Sequence, residues 1–144
     1  MRENYTIAEG ARISIVDDDE SMREAIKVLM ESMGMSVEDF SSAEAFLNSG
    51  RSQIFDCLIL DVRMPGLSGL ELQSRLVADD CSVPIVFMTS HPGDEVRTRA
   101  MEAGAVDFLS KPFTEGELLN AVGKSLAMHK KVADGYEDAQ LNSV

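Results

Sequence analysis

The segment Leu58-Ile59-Leu60-Asp61-Val62-Arg63-Met64-Pro65-Gly66 carries the signal that decides the fold. Its first part is apolar without alternation, which is typical of a strand covered on both faces in the middle of a parallel sheet. The apolar run ends in an acid, and Pro65-Gly66 then predicts a loop. In a doubly wound α/β sheet, ligands bind beyond the carboxyl ends of the strands, so Asp61 is a candidate functional residue. Taken alone, Asp61 could also be a solvated loop acid or the cap of the following helix.

The rest of the chain alternates between strand and helix patterns. Apolar runs predict strands at residues 12–16, 35–40, 57–60, 83–88 and 105–109. Apolar positions at helical spacing predict helices at residues 22–33, 43–47, 68–77, 92–103 and 114–128. Parallel strands need helical crossovers, so this alternation predicts an α/β fold with one parallel sheet and helices on both of its faces.

Several helix ends carry their own signals. Asp19 or Ser21 can cap the first helix, and Gly34 occupies the usual stop position after it. Thr114 and Glu117 have the spacing of a capping box at the start of the last helix. These signals agree with the helix limits that the apolar spacing predicts.

Length and composition predict a single domain of ordinary globular type. The chain has 144 residues, and its formal net charge of -12 opposes binding to a bare phosphate backbone, so no direct nucleic-acid binding is expected. Cys57 and Cys81 lie in or beside predicted strands and are expected to be reduced core thiols. No apolar run has membrane-spanning length, and the amino terminus lacks the features of a secretory signal. We therefore expect a cytoplasmic protein without a membrane partner.

The predicted domain covers residues 12–128, with a polar segment at 1–11 and a loosely ordered polar tail, or the start of a linker, at 129–144.

Polar side chains follow four of the predicted strands. These residues are Asp17 and Asp18, Asp61, Thr89 and Lys111. The carboxyl ends of parallel strands lie at one edge of the sheet, so these side chains are expected to converge. Crowded carboxylates need a cation, and an all-oxygen site suits Mg²⁺ better than zinc. A carboxylate can accept a phosphoryl group while cations neutralise its oxygens, which makes phosphoryl chemistry the leading hypothesis.

Each of these residues also has a plain structural explanation. The acids after the first strand could only favour the positive end of a helix, Thr89 could only bond the backbone, and Lys111 could be a surface lysine. Their coincidence at the strand ends of one sheet favours a functional site.

Over residues 12–128 the sequence resembles the receiver domain of two-component response regulators. The matching elements are the acidic pair Asp17-Asp18 after the first strand, Asp61 before Met64-Pro65-Gly66, Thr89 after the fourth strand, and Lys111-Pro112 after the fifth. The resemblance implies a flavodoxin-like, doubly wound sheet of five strands in the order 2-1-3-4-5, with five helices.

The resemblance also implies a role for each site residue. Asp61 is expected to accept a phosphoryl group from a sensor histidine kinase. Asp18, Asp61 and the backbone carbonyl of Arg63 are expected to bind Mg²⁺, with Asp17 helping through a bound water. Lys111 is expected to pair with the carboxylate and the phosphoryl group.

Two further residues correspond to the family's switch positions. Thr89 is expected to move to the phosphoryl group, and Phe108 is expected to turn inward on activation, although a plain core aromatic is the alternative for Phe108. Arg63 and His91 are expected to flank the entrance of the site and to tune the access of water. The surface of the fourth helix, fifth strand and fifth helix would then change, dimerise and control an output.

The expected output is transcription through a helix-turn-helix domain that this sequence does not contain, and an excised or a free-standing receiver both remain open. On this interpretation the chain is a signalling phosphoacceptor that catalyses only its own phosphorylation and dephosphorylation.

Three other interpretations account for parts of the pattern. A Mg²⁺-dependent aspartyl-phosphate phosphatase would use Asp17 as nucleophile but would need a larger chain for its substrate pocket. A flavodoxin-like cofactor carrier would need a phosphate-binding loop where the acids stand. Gly123-Lys124-Ser125 imitates part of a P-loop but lies within a predicted helix.

Overall fold

Five parallel strands form a sheet in the order β2-β1-β3-β4-β5. The computed structural model describes the backbone of residues 10–142 and the side chains of residues 10–129. The strands are β1 (Arg12–Val16), β2 (Ser36–Phe40), β3 (Cys57–Asp61), β4 (Ile85–Thr89) and β5 (Asp107–Ser110). Each neighbouring pair is parallel, and β3 is buried along its whole length. The predicted fold class and strand order are confirmed.

Helices connect the strands. They are α1 (Glu20–Ser32), α2 (Ala43–Asn48), α3 (Gly69–Ala78), α4 (Asp94–Glu102) and α5 (Glu115–Asn142), with a short 3₁₀ helix (Ser52–Ile54) before β3. Asp19 caps α1 by accepting hydrogen bonds from the backbone N–H groups of Ser21 and Met22. The predicted capping box of α5 is present, because the Glu117 carboxylate accepts from the Thr114 N–H at 2.9 Å and the Thr114 hydroxyl accepts from the Glu117 N–H at 3.0 Å.

Most element limits differ from the predicted ones by one or two residues, and three of the differences have a physical explanation. β4 begins at Ile85, because Pro84 has no N–H to donate to the sheet, although its carbonyl accepts from Leu58 N–H at 2.8 Å. β5 begins at Asp107, because the Ala105 N–H closes the end of α4 through the carbonyl of Ala100. The last helix is predicted to end at residue 128, whereas the structure continues it through residues 129–142 as helix α5. That segment contains no proline to stop the helix. Its role as a linker remains a prediction.

The apolar core has one layer on each face of the sheet. Leu58 and Leu60 point to the layer under α2, α3 and α4, and Cys57 and Ile59 point to the layer under α1 and α5. Both faces of β3 are therefore covered, which explains why its sequence shows no alternation. Cys57 and Cys81 are buried free thiols, as predicted, and burial raises the pKa of the Cys57 thiol to about 12. Between residues 10 and 142, no helix is both long enough and apolar enough to cross a membrane.

Candidate functional site

The carboxyl ends of β1 and β3 bring three carboxylates together. Asp17 and Asp18 follow β1, and Asp61 is the last residue of β3. One oxygen from each of the three lies within 4.8 Å of the others, because β1 and β3 are adjacent in the sheet. Asp17 is fully buried, Asp61 is 6 % exposed and Asp18 is exposed. The predicted acidic cluster is present at the predicted edge of the sheet.

Lys111 supplies a positive charge to this cluster. It follows β5, and its backbone N–H donates to the Thr89 carbonyl at 2.7 Å, which places it across the end of β4. The peptide bond between Lys111 and Pro112 is cis. The Lys111 Nζ lies 3.0 Å from Asp17 Oδ2 and 3.7 Å from Asp61 Oδ1. One ammonium group therefore pairs with two carboxylates.

The environment raises the pKa of Asp61 to about 6, from an ordinary value of 3.8. Burial is the main cause, and the negative charge of Asp17 adds to it. Lys111 acts in the opposite direction by stabilising the ionised form. Asp61 is therefore mostly ionised at pH 7 but titrates much closer to neutrality than an ordinary aspartate.

The carboxylates open into a pocket of about 240 Å³, here called the acidic pocket. Its lining consists of Asp17, Asp18, Asp19, Asp61, Arg63, Thr89, Ser90, His91 and Lys111. Arg63 and His91 are thus in the pocket wall, as predicted. The Thr89 side chain is buried, and its hydroxyl oxygen accepts from the His91 backbone N–H at 3.1 Å. Pockets for drug-sized ligands are typically larger than this one, so its size suits a small charged group.

Phe108 lies in the core and does not line the acidic pocket. Its ring centroid is 6.2 Å from that of Phe87, its partner in the sheet register. This placement is compatible with both interpretations of Phe108, the switch position and the plain core aromatic.

Two side chains around the site were missed by the sequence analysis. Arg23 in α1 donates through Nη1 to the Asp17 carbonyl at 2.8 Å and through Nε to Asp39 at 3.0 Å, which ties the loop after β1 to β2. Glu44 in α2 accepts from the Leu67 N–H at 2.9 Å, and this bond lowers the pKa of the Glu44 carboxyl group. No sequence pattern indicates these contacts, because each joins residues that belong to different elements or loops of the fold.

The donor set decides which ions the acidic pocket can hold. Three carboxylates provide oxygen ligands, which a hard divalent cation such as Mg²⁺ prefers. The four carboxylates in the pocket lining outnumber its two basic side chains, Arg63 and Lys111, so the pocket retains an excess of negative charge. The arrangement is suited to holding a cation beside a reactive carboxylate.

Known proteins share both this sequence and this fold. The family model described as the response regulator receiver domain matches residues 13–123. Nodulation protein W of Bradyrhizobium diazoefficiens is 47% identical over 112 residues, which cover 78% of this chain and 49% of that protein. Response regulator protein TodT of Pseudomonas putida is 47% identical over 116 residues, which cover 81% of this chain and 51% of that protein. The chain spans about half the length of these curated relatives.

Solved structures agree with the sequence relatives. The crystal structure of FixJ-N matches with a TM-score of 0.75 and 32% identity, over 83% of this chain and 95% of that one. The low-resolution structure of the response regulator StyR matches with a TM-score of 0.84 and 42% identity, over 92% of this chain and 67% of that one. A family match over most of the domain, with the acidic pocket at the carboxyl edge of the same sheet, shows that the chain belongs to the response regulator receiver domain family of two-component signalling proteins.

Proposed function

We propose that this chain accepts a phosphoryl group on Asp61 from a sensor histidine kinase and transmits the change to an output. The observation that carries the proposal is the position of Asp61 in the acidic pocket, 3.7 Å from the Lys111 ammonium group. Asp17 is a weaker candidate for the acceptor, because it is fully buried and both of its oxygens are engaged. One accepts from the Asp19 N–H and the other pairs with Lys111.

The transfer is a displacement at phosphorus. A carboxylate oxygen of Asp61 attacks the phosphorus of the donor's phosphohistidine, the P–N bond breaks, and its electron pair returns to the imidazole nitrogen. The product is an acyl phosphate on Asp61. Attack requires the ionised carboxylate, which dominates at pH 7 with a pKa of about 6. Lys111 holds one positive charge where the negative oxygens of the phosphoryl group arrive.

Asp17, Asp18, Asp61 and the backbone carbonyl of Arg63 are the groups that would hold Mg²⁺. The all-oxygen donor set and its uncompensated negative charge fit this ion. When bound, Mg²⁺ supplies further positive charge to the oxygens of the phosphoryl group.

The proposed response runs from Thr89 to Phe108. Thr89 would exchange its hydrogen bond with the His91 N–H for one with the phosphoryl group. β4 and β5 are paired in the sheet, and Phe108 packs beside Phe87, which lies two residues before Thr89, so a shift of Thr89 would change the space that is available to Phe108. Phosphorylation would thereby bias two states of the surface formed by α4, β5 and α5. We propose that this surface mediates dimerisation and controls transcription through an output domain.

Incubation with acetyl phosphate, with and without Mg²⁺, tests the acceptor assignment. Intact mass and peptide mapping are expected to show one phosphoryl group on Asp61, dependent on Mg²⁺ and absent from Asp61→Asn. Asp56→Asn is a matched control, because the same substitution is made just before β3, at the opposite end of the strand. It is expected to accept the group as the wild type does.

The same samples separate the alternatives. A phosphoryl group on Asp17 would favour the aspartyl-phosphate phosphatase, and no addition to the wild type would contradict the proposal. Size-exclusion chromatography with and without a phosphoryl mimic tests dimerisation, and an unchanged elution volume would contradict that part.

A further inference from the structure

The loop between β3 and α3, residues 62–68, carries Arg63 into the wall of the acidic pocket. Backbone hydrogen bonds hold its two ends. Val62 N–H donates to the Met88 carbonyl at 3.0 Å, and Gly69 N–H donates to the Val62 carbonyl at 2.9 Å. The tip of the loop, Gly66-Leu67, is held in a different way.

Glu44, in the first turn of α2, contacts this tip. Its Oε2 accepts from the Leu67 N–H at 2.9 Å, a bond between a charged acceptor and the backbone. The same oxygen lies where a side chain at position 66 would begin, since a Cβ there would be only 2.5 Å from it. Gly66 also has a φ of +77°, which favours glycine. The loop tip and the Glu44 carboxylate are therefore fitted closely to each other.

We propose that Glu44 is a positioning residue for phosphoryl transfer, which holds the loop tip at Gly66 and Leu67 and thereby keeps the Arg63 carbonyl at the cation site. The inference rests on the proposed function, because it concerns the same acidic pocket. Glu44 does not line that pocket and acts only through the loop.

Because this contact is exposed, its effect on Mg²⁺ binding can be separated from its effect on the stability of the fold. The Glu44 side chain is exposed and Leu67 is half-buried, so water can satisfy the Leu67 N–H when the carboxylate is removed. The free energy of unfolding is therefore expected to fall only slightly. The loop tip, however, loses its link to α2, and a cation site is sensitive to small displacements of its ligands.

The primary readout is the dissociation constant for Mg²⁺, measured by calorimetry on the unphosphorylated chain. Glu44→Ala is expected to weaken Mg²⁺ binding by about tenfold, no more than the smallest loss seen when a residue in direct contact with a metal ligand is removed, because Glu44 acts through the loop. Glu44→Gln retains an acceptor oxygen and is expected to lose less. Ser42→Ala is the matched control, because it removes the cap of the same helix, which accepts from the Ala45 N–H at 3.0 Å, without touching the loop. It is expected to keep the wild-type Mg²⁺ affinity.

A double-mutant cycle with Gly66→Ala tests the contact itself. The added Cβ displaces the Glu44 carboxylate, so Gly66→Ala is expected to weaken Mg²⁺ binding in the wild-type background. In the Glu44→Ala background the contact is already absent, and the fold-change from Gly66→Ala is expected to be smaller. The backbone strain of alanine at positive φ is common to both backgrounds and cancels in the cycle.

The outcomes distinguish this inference from the proposed function. If the wild type is phosphorylated on Asp61 and Glu44→Ala binds Mg²⁺ as the wild type does, the positioning role is overturned and the proposed function stands. Equal losses in Glu44→Ala and Ser42→Ala would also overturn it, because they would indicate destabilisation of α2. A wild type that neither binds Mg²⁺ nor is phosphorylated on Asp61 would overturn both.

Discussion

At the scale of single residues, the buried carboxylate of Asp61 links the site to the stability of the fold. Its pKa is about 6 in the folded chain and close to 3.8 when the chain is unfolded. The folded state therefore holds the proton more tightly than the unfolded state. The contribution of Asp61 to the free energy of unfolding in the absence of metal is therefore fully present below pH 4 and is lost as the pH rises from about 4 to about 6.

Asp61→Asn removes this ionisation with little change of shape. In EDTA at pH 7.5 the variant is expected to be more stable than the wild type by about 1–3 kcal/mol, and the difference is expected to shrink as the pH falls towards 4. Urea denaturation at several pH values measures it, with Asp56→Asn as the control. A stability difference that does not vary with pH would contradict the electrostatic explanation.

Most residues of the acidic pocket could be predicted from the sequence, although not Asp19 and Ser90, whereas the supports of the pocket could not. Asp17, Asp61 and Lys111 converge because each lies at the carboxyl end of a strand of one parallel sheet, and a strand end is visible in the sequence as the end of an apolar run. The roles of Arg23 and Glu44 depend on bonds between a side chain of one element and a backbone group of a loop. No local pattern specifies such pairs, so the structure was needed to find them.

At the scale of elements, the start of α3 is packed directly against the end of β3. A Cβ added to Gly69 would collide with the backbone carbonyl of Asp61, whereas one added to Gly123 within α5 would meet nothing within 4 Å. The sequence predicted α3 from residue 68, and the structure makes Ser68 its cap, in a capping box with Glu71. The Ser-x-x-Glu spacing was a readable signal for this cap, whereas the close approach of Gly69 was not.

Alanine substitutions at these two glycines are expected to have opposite effects. Gly69→Ala must displace α3 from β3 and is expected to cost about 2 kcal/mol or more, because backbone blocks the added methyl group. Gly123→Ala is expected to stabilise the chain by about 0.5–1 kcal/mol, because alanine favours a helix interior. Chemical denaturation of both variants measures the difference. Equal effects would show that α3 can move away from β3 without penalty.

At the scale of the whole molecule, regular βα alternation made the fold class predictable, and the resemblance to receiver domains supplied the strand order. The alternation works because parallel strands require crossovers and because each face of the sheet must be covered. The limits of β4, β5 and α5 depend on which backbone groups find hydrogen-bond partners. The observed limits of β4 and β5 differ from those that the apolar pattern predicts by a few residues, and that of α5 differs by a longer segment.

The net charge of -12 predicts two separable responses to salt. Any salt screens the mutual repulsion of the acidic residues, so NaCl is expected to raise the melting temperature slightly. Mg²⁺ is expected to do more at equal ionic strength, because the proposed function has it bind the carboxylate cluster of the folded chain. At a concentration ten times its dissociation constant, Mg²⁺ would contribute about 1.4 kcal/mol.

In Asp18→Asn and Asp61→Asn the Mg²⁺ effect is expected to fall to that of NaCl, because each variant removes one of the cluster's carboxylates. Thermal melts in matched ionic strengths measure both responses. Equal stabilisation of the wild type by the two salts would mean that the cluster acts only as diffuse charge and not as a cation site.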